Sequence, residues 1–327
     1  MSSWKKHLTL GLAGCLLAAG LALTAQAGTW PDKPLYIVVP FPAGGAGDLV
    51  PRILGEELSK SLGQPVIVEN KPGAQGAIGI NYVAKSKPDG YTLGVASSGP
   101  VVIGKRLFPS LPYDPKKDLA PVALTYETPF VLVVPAASPI KSLADMVKQA
   151  KQRPGRLNIA IPNKGSVQHL ISEQMKSEAG LDILDIPYNG GGPAIVAAAS
   201  GEVDMTWAAL PNAIGMLANG KVRAIAVSSS QRDPMIPDIA TVVEQGWPTL
   251  VASNWNGLVA AAKTPEDILE KLNRAINAAL RQPRVLKKFA DMGISPLART
   301  RQGFQDLMTS EETKWAKVIK AAKIEPM

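Results

Sequence analysis

Cysteine is almost absent from these 327 residues: Cys15 stands alone, so the chain can form no internal disulfide and no cysteine-ligated metal cluster. Histidine is nearly as scarce, with His7 and His169 only, which excludes a multi-histidine metal centre. Aromatic residues make up 5% of the chain and the basic residues are scattered among them without interleaving, so no nucleic-acid surface is expected. Apolar residues at 46% and charged residues at 19% describe a globular protein, with neither the polarity of a disordered chain nor repeated membrane spans.

The single long apolar run is at the start. Lys5 and Lys6 precede Leu8 to Leu23, and Ala25-Gln26-Ala27 supplies a small-x-small cleavage site. Residues 1–27 are therefore expected to be an export signal cleaved after Ala27, which sends the protein to the periplasm. Leu12-Ala13-Gly14-Cys15 resembles a bacterial lipoprotein box, so a lipid anchor at Cys15 is the alternative. Removing the signal takes away two lysines and no acid, so the net charge goes from +8 to +6, suited to solubility and to weak attraction of anionic solutes. It also removes the only thiol and leaves His169 as the last histidine.

The remainder alternates strand and helix, the α/β pattern of a parallel sheet covered on both faces. The run Leu35-Tyr36-Ile37-Val38-Val39 leads through Pro40–Asp48, PFPAGGAGD, into an amphipathic helix beginning DLVPRILG. Strands are expected at 65–70 and 91–98. The G-x-x-x-x-G-K spacing of Gly99–Arg106 is taken as chance, because valines and an isoleucine fill what should be a glycine cradle and Arg106 replaces Ser or Thr. Residues 119–135 are continuously extended, better suited to a crossing between domains than to a strand–helix unit. Alternation restarts at the S-x-x-D box of Ser142 and Asp145 and runs to VRAIAVSSS. TLVASNWN (249–256) is the expected return crossing into the strand GLVAAA, followed by helices without strands, the first starting at Thr264-Pro265. Two domains follow, residues 28–129 with 255–327 as domain 1 and 130–254 as domain 2, hinged near 127–132 and 249–256.

Three strand–helix turns share one chemistry: PFPAGGAGD, PNKGSVQH and PYNGGGPA. Small residues leave backbone N–H groups unscreened, and the following helix N-terminus adds partial positive charge, so each suits an anionic oxygen. Converging on a cleft, such turns bind an anion reversibly without a catalytic group. Ser166, three residues before His169, is the one arrangement that could support a hydrolase, although no G-x-S-x-G elbow surrounds any serine.

The ordered motifs PDKPLYIVVPFPAGGAGDLVPRILGEEL, GQPVIVENKPGAQGAIG, KGSVQHLISEQM, IPYNGGGPAIVAAASGEVD and SNWNGLVAAAKTPEDILEKLN resemble the Bug-type periplasmic receptors of tripartite tricarboxylate transporters. The resemblance covers essentially all of the mature chain. It implies a two-domain, Venus-flytrap binding protein with two crossing strands as hinge, no enzymatic activity, no cofactor and no metal. It also implies a small organic anion, a carboxylate, as ligand and membrane transporter subunits as partners, with the receptor acting as a monomer and without nucleic acid. Carried over by position, the ligand residues are Phe41, Ala43, Gly44, Gly45, Ala46, Gly47 and Asp48 on one side. Gly165, Ser166, His169, Tyr188, Gly190, Gly191 and Gly192 face them. Gly47 departs from the family, which usually has Ser or Thr there, and restoring serine is expected to be tolerated at a helix start. A sensor presenting its ligand to a signalling kinase, and an exported hydrolase using Ser166 and His169, are the alternative functions.

Overall fold

Apolar runs bounded by glycine turns become the strands of the computed structural model, which describes residues 30–326. The expected signal, its cleavage point and Cys15 lie outside the described residues. Leu35–Val39 (β1) is buried at every position but Tyr36. Ala46–Leu62 (α1) buries Val50, Leu54 and Leu58, four residues apart on one face, and stops at Gly63 with φ +70°. It begins two residues before the expected Asp48, so the glycine turn itself supplies the first helical N–H groups. Val66–Asn70 (β2), Ala77–Ala84 (α2) and Thr92–Ala96 (β3) follow. A π-helical turn, Gly99–Ile103, leads to Gly104–Leu107 (α3); its Val101, Val102 and Ile103 are core residues, so this stretch is no phosphate cradle. Pro115–Asp118 (α4) precedes the 17-residue strand Leu119–Pro135 (β4).

The second half repeats the scheme: Leu143–Gln152 (α5), Leu157–Ile161 (β5), Val167–Ala179 (α6), Ile183–Pro187 (β6), Gly191–Ser200 (α7), Met205–Ala209 (β7), Leu210–Ala218 (α8) and Val222–Val227 (β8). Ser142 caps α5 as its box predicts, its hydroxyl accepting from the Asp145 N–H at 3.1 Å. Ser253–Ala261 (β9), Glu266–Ala279 (α9), Pro283–Asp291 (α10) and Arg301–Ala321 (α11) complete the chain. Thr264 does not cap α9; its hydroxyl donates to the Ala261 carbonyl, and Pro265 stands one residue before the helix.

The strands lie in the order β2-β1-β3-β9-β4-β7-β5-β6, with β8 also on β4. β1 is parallel to β2 and β3, and β5 is parallel to β6 and β7. The sheet is mixed where these sets meet, because β9 runs antiparallel to β3 and β4, and β4 antiparallel to β7 and β8. The long β4 and β9 run against both parallel sets where the chain crosses between them, which the expectation of a parallel sheet missed. β4 changes partners at one point: Leu119–Pro129 pairs with β9, and Phe130–Pro135 with β7 and β8. β9 starts at Ser253, before the apolar run, because Ser253–Asn256 already pair with Pro129–Tyr126.

Ser228, fully buried, ties the two crossing segments together at this point. Its hydroxyl accepts from the Phe130 N–H at 2.8 Å and donates to the Ala252 carbonyl at 2.5 Å. Its backbone N–H donates to the Phe130 carbonyl at 2.8 Å, and its carbonyl accepts from the Ala252 N–H at 2.9 Å. Of the strandless helices, α9 and α10 pack on α1, whereas α11 touches β4, the π-helical turn and also α6. Trp255 of β9 meets Phe304 of α11 edge-on, with ring centroids 5.5 Å apart.

Candidate functional site

The C-terminal ends of the parallel strands carry their turns to one cavity of about 780 Å³. Phe41, Ala43, Gly45, Ala46, Gly47 and Asp48 line one side, and Gly165, Ser166, Gly190, Gly191 and Gly192 another. The crossing strands contribute Tyr126, Phe130, Asn254 and Asn256. Three residues singled out in the sequence, Gly44, His169 and Tyr188, are not in the lining, and each has a physical reason.

Gly44 has φ +100°, a conformation that favours glycine, and its N–H is consumed by the Asp48 carboxylate at 3.0 Å. Asp48 is 3% exposed and both its oxygens are engaged. Oδ2 accepts from Gly44, while Oδ1 accepts from Arg52 Nη2 and Asn70 Nδ2, each at 2.8 Å. Burial alone would raise the Asp48 pKa, but the hydrogen bonds from Arg52, Gly44 and Asn70 together with the Arg52 charge hold it down at about 2. Asp48 is thus the pin that shapes the first turn. The next three N–H groups, of Gly45, Ala46 and Gly47, open α1 and carry no acceptor among the described residues. Gly45 itself has φ −85°, within reach of any residue, and a Cβ there would meet nothing within 4 Å.

On the other side Ser166 caps α6. Its hydroxyl accepts from the His169 N–H at 3.2 Å and donates to the Asn163 carbonyl at 2.9 Å. The His169 ring is turned away, its Nδ1 accepting from the Gly165 N–H at 3.1 Å, so Ser166 and His169 form no nucleophile–base pair. Burial keeps His169 below its ordinary pKa, opposed by the Glu173 charge and reinforced by Lys176 and Lys164. His169, Glu173 and Asp185 are close enough to resemble a metal-ligand set, but the Lys176 ammonium sits against both carboxylates, 2.7 Å from Asp185, and already supplies the cation. Tyr188, half-buried, donates its hydroxyl to Glu202 at 2.8 Å. Gly190 has φ +107° and gives its N–H to the Pro162 carbonyl at 2.9 Å, leaving Gly191 and Gly192 to open α7 toward the cavity. Lys164 is not in the lining either.

Among the described lining residues Asp48 is the only charged one. Every other polar group there is a neutral donor or acceptor, so an anion would be met by N–H groups and helix N-termini, as uncharged turns dictate. Sequence reasoning missed Ser97, Asn212, Asn254 and Asn256, which reach the cavity from the end of β3, the start of α8 and β9. No local glycine pattern marks them; the sheet order brings them in. Ser98 also lines the cavity, but its hydroxyl donates to the buried Glu311 at 3.1 Å.

No helix among the described residues is long and apolar enough to cross a membrane. The chain is similar to the Bordetella pertussis (strain Tohama I) protein BugT, 38% identical over 313 residues, covering 95% of this chain and 96% of that protein. It is also similar to the solved structure of R. palustris Rpa4515 with adipate, with a TM-score of 0.83 at 32% identity, covering 91% of this chain and 100% of that one. MatC from Rhodopseudomonas palustris with bound malate superposes with a TM-score of 0.78 at 35% identity, covering 89% of this chain and 100% of that one. Residues 50–324 match the family model described as tripartite tricarboxylate transporter family receptor. With that match spanning most of its length, on an α/β solute-binding fold whose strand ends enclose a cavity, the chain belongs to the tripartite tricarboxylate transporter receptor family.

Proposed function

We propose that the protein is an exported, non-enzymatic receptor that captures a small organic carboxylate in the cavity and delivers it to a membrane transporter of the tripartite tricarboxylate type. The observation that carries this reading is the convergence of several helix N-termini on a cavity in which the pinned Asp48 is the only charged residue among the described lining. Such a lining binds anions reversibly and offers neither a nucleophile with a base nor a metal-ligand set. On this reading the N–H groups of Gly45, Ala46 and Gly47 take one carboxylate, and the Gly191 and Gly192 end of α7 faces the remainder of the ligand. Adipate and malate in the two solved relatives support the ligand class. Export rests on the N-terminal segment, with cleavage after Ala27. Thermal-shift measurements on the mature protein against mono-, di- and tricarboxylates test the reading. At 100 times its dissociation constant the cognate acid adds about 2.7 kcal/mol of stability, and no stabilisation by any carboxylate would contradict it.

Residues 28–129 with 255–327 form one lobe on this reading, and 130–254 the other. The partner change of β4 at Pro129/Phe130 and the Ser228 bridge support a hinge there. Ligand is then expected to close the lobes, lowering the radius of gyration in small-angle scattering. Identical scattering from free and saturated protein would argue against closure.

A further inference from the structure

The first turn carries an unusual wall. A Cβ on Gly47 would stand 2.9 Å from Cδ2 and 3.4 Å from Cε2 of Phe41, so the phenyl ring occupies the space that any side chain at position 47 would claim. Phe41 and Gly47 both line the cavity. A serine at 47 is therefore not simply accommodated, as the sequence suggested, because the ring must move first. The nearest polar atom behind that wall is Asn256 Oδ1, 3.6 Å from the Gly47 Cβ position. It is buried without a hydrogen-bond partner, while the Asn256 Nδ2 donates to the Tyr126 hydroxyl at 2.7 Å.

We infer that Phe41 seated over Gly47 makes this site select carboxylic acids whose skeleton carries no hydroxyl beside the carboxylate, in preference to 2-hydroxy acids. The inference rests on the reading of the cavity as a carboxylate site. With a carboxylate on the Gly45–Gly47 N–H groups, the adjoining carbon lies against the ring. A methylene there packs on hydrocarbon. A hydroxyl pressed against the ring loses its water, and the nearest polar atom on that face, Asn256 Oδ1, is buried behind the turn. No lysine, arginine or histidine in the described lining offers compensation.

Calorimetric titration of the mature protein with matched acids tests this: succinate against malate, and phenylacetate against mandelate. In each pair that binds, the unhydroxylated acid is expected to bind about tenfold tighter or more, the scale on which an apolar pocket rejects an added hydroxyl. Phe41→Ala and Gly47→Ser, with melting temperatures measured beside their affinities, are each expected to bring the ratio below about threefold, one by removing the ring and the other by displacing it and adding a hydroxyl. Equal or tighter binding of the hydroxylated acids by the parent overturns the inference alone. So does an unchanged ratio in both variants when they are folded. Failure of these acids and of every mono-, di- and tricarboxylate in the thermal-shift series to bind overturns the carboxylate reading and this inference with it.

Discussion

Gly45→Val is expected to lose about 1–3 kcal/mol of binding, roughly 5- to 150-fold in affinity, while remaining folded. The loss follows from the position of Gly45 at the cavity wall, where the first three N–H groups of α1 are open. A branched side chain there stands between those donors and any carboxylate. The fold has little reason to respond: φ is −85°, and the Cβ meets nothing within 4 Å. The remaining cost is that of a poorer N-cap, about 1 kcal/mol, partly offset because valine restricts the unfolded chain. Isothermal titration and a melting curve of the ligand-free variant separate the two effects. Gly44→Val is the internal contrast, since φ +100° strains any side chain and should cost stability before it costs binding.

Asp48→Asn is expected to destabilise the protein by about 2 kcal/mol at pH 7, because a carboxylate held near pKa 2 against an ordinary 3.8 contributes roughly that much when ionised. The sign is set by the depressed folded-state pKa. The unfolded chain takes up the proton first, so the contribution is complete above about pH 4 and is lost as pH falls toward about 2. Urea unfolding of parent and variant at several pH values should show a stability gap at pH 7 that narrows in acid. A variant as stable as the parent at neutral pH would mean that the Gly44, Arg52 and Asn70 contacts do not hold the turn.

Those two positions show what was legible in the sequence and what was not. The alternation of apolar runs and glycine turns is local, so β1, α1 and β5 through α8 could be read from it. The antiparallel placement of β9 depends on which strand it meets after a long crossing, and no periodicity within Ser253–Ala261 reports that. The glycine turns were visible as donors, but their allocation was not. Gly44 and Gly190 spend their N–H groups inside the fold, on Asp48 and on the Pro162 carbonyl. Asp48 reads as a polar residue beside a ligand until Arg52, one helical turn on, and Asn70, from another strand, are seen to claim it. The His169 ring lies beside Glu173 and Lys176 of its own helix α6 and Asp185 of β6, and the last of these no local pattern around His169 could report. Gly47 reads as a missing hydroxyl, and only the packing shows a phenyl ring in its place.

On the receptor reading a carboxylate is held by the N–H groups of the first turn. A crystal structure of the mature protein with the acid that most raises its melting temperature tests this most directly. Carboxylate oxygens within about 3.2 Å of the Gly45, Ala46 or Gly47 nitrogens, directly or through one bridging water, are the predicted result. An acid bound with its carboxylate away from that turn, at lysine side chains or on another surface, would contradict it.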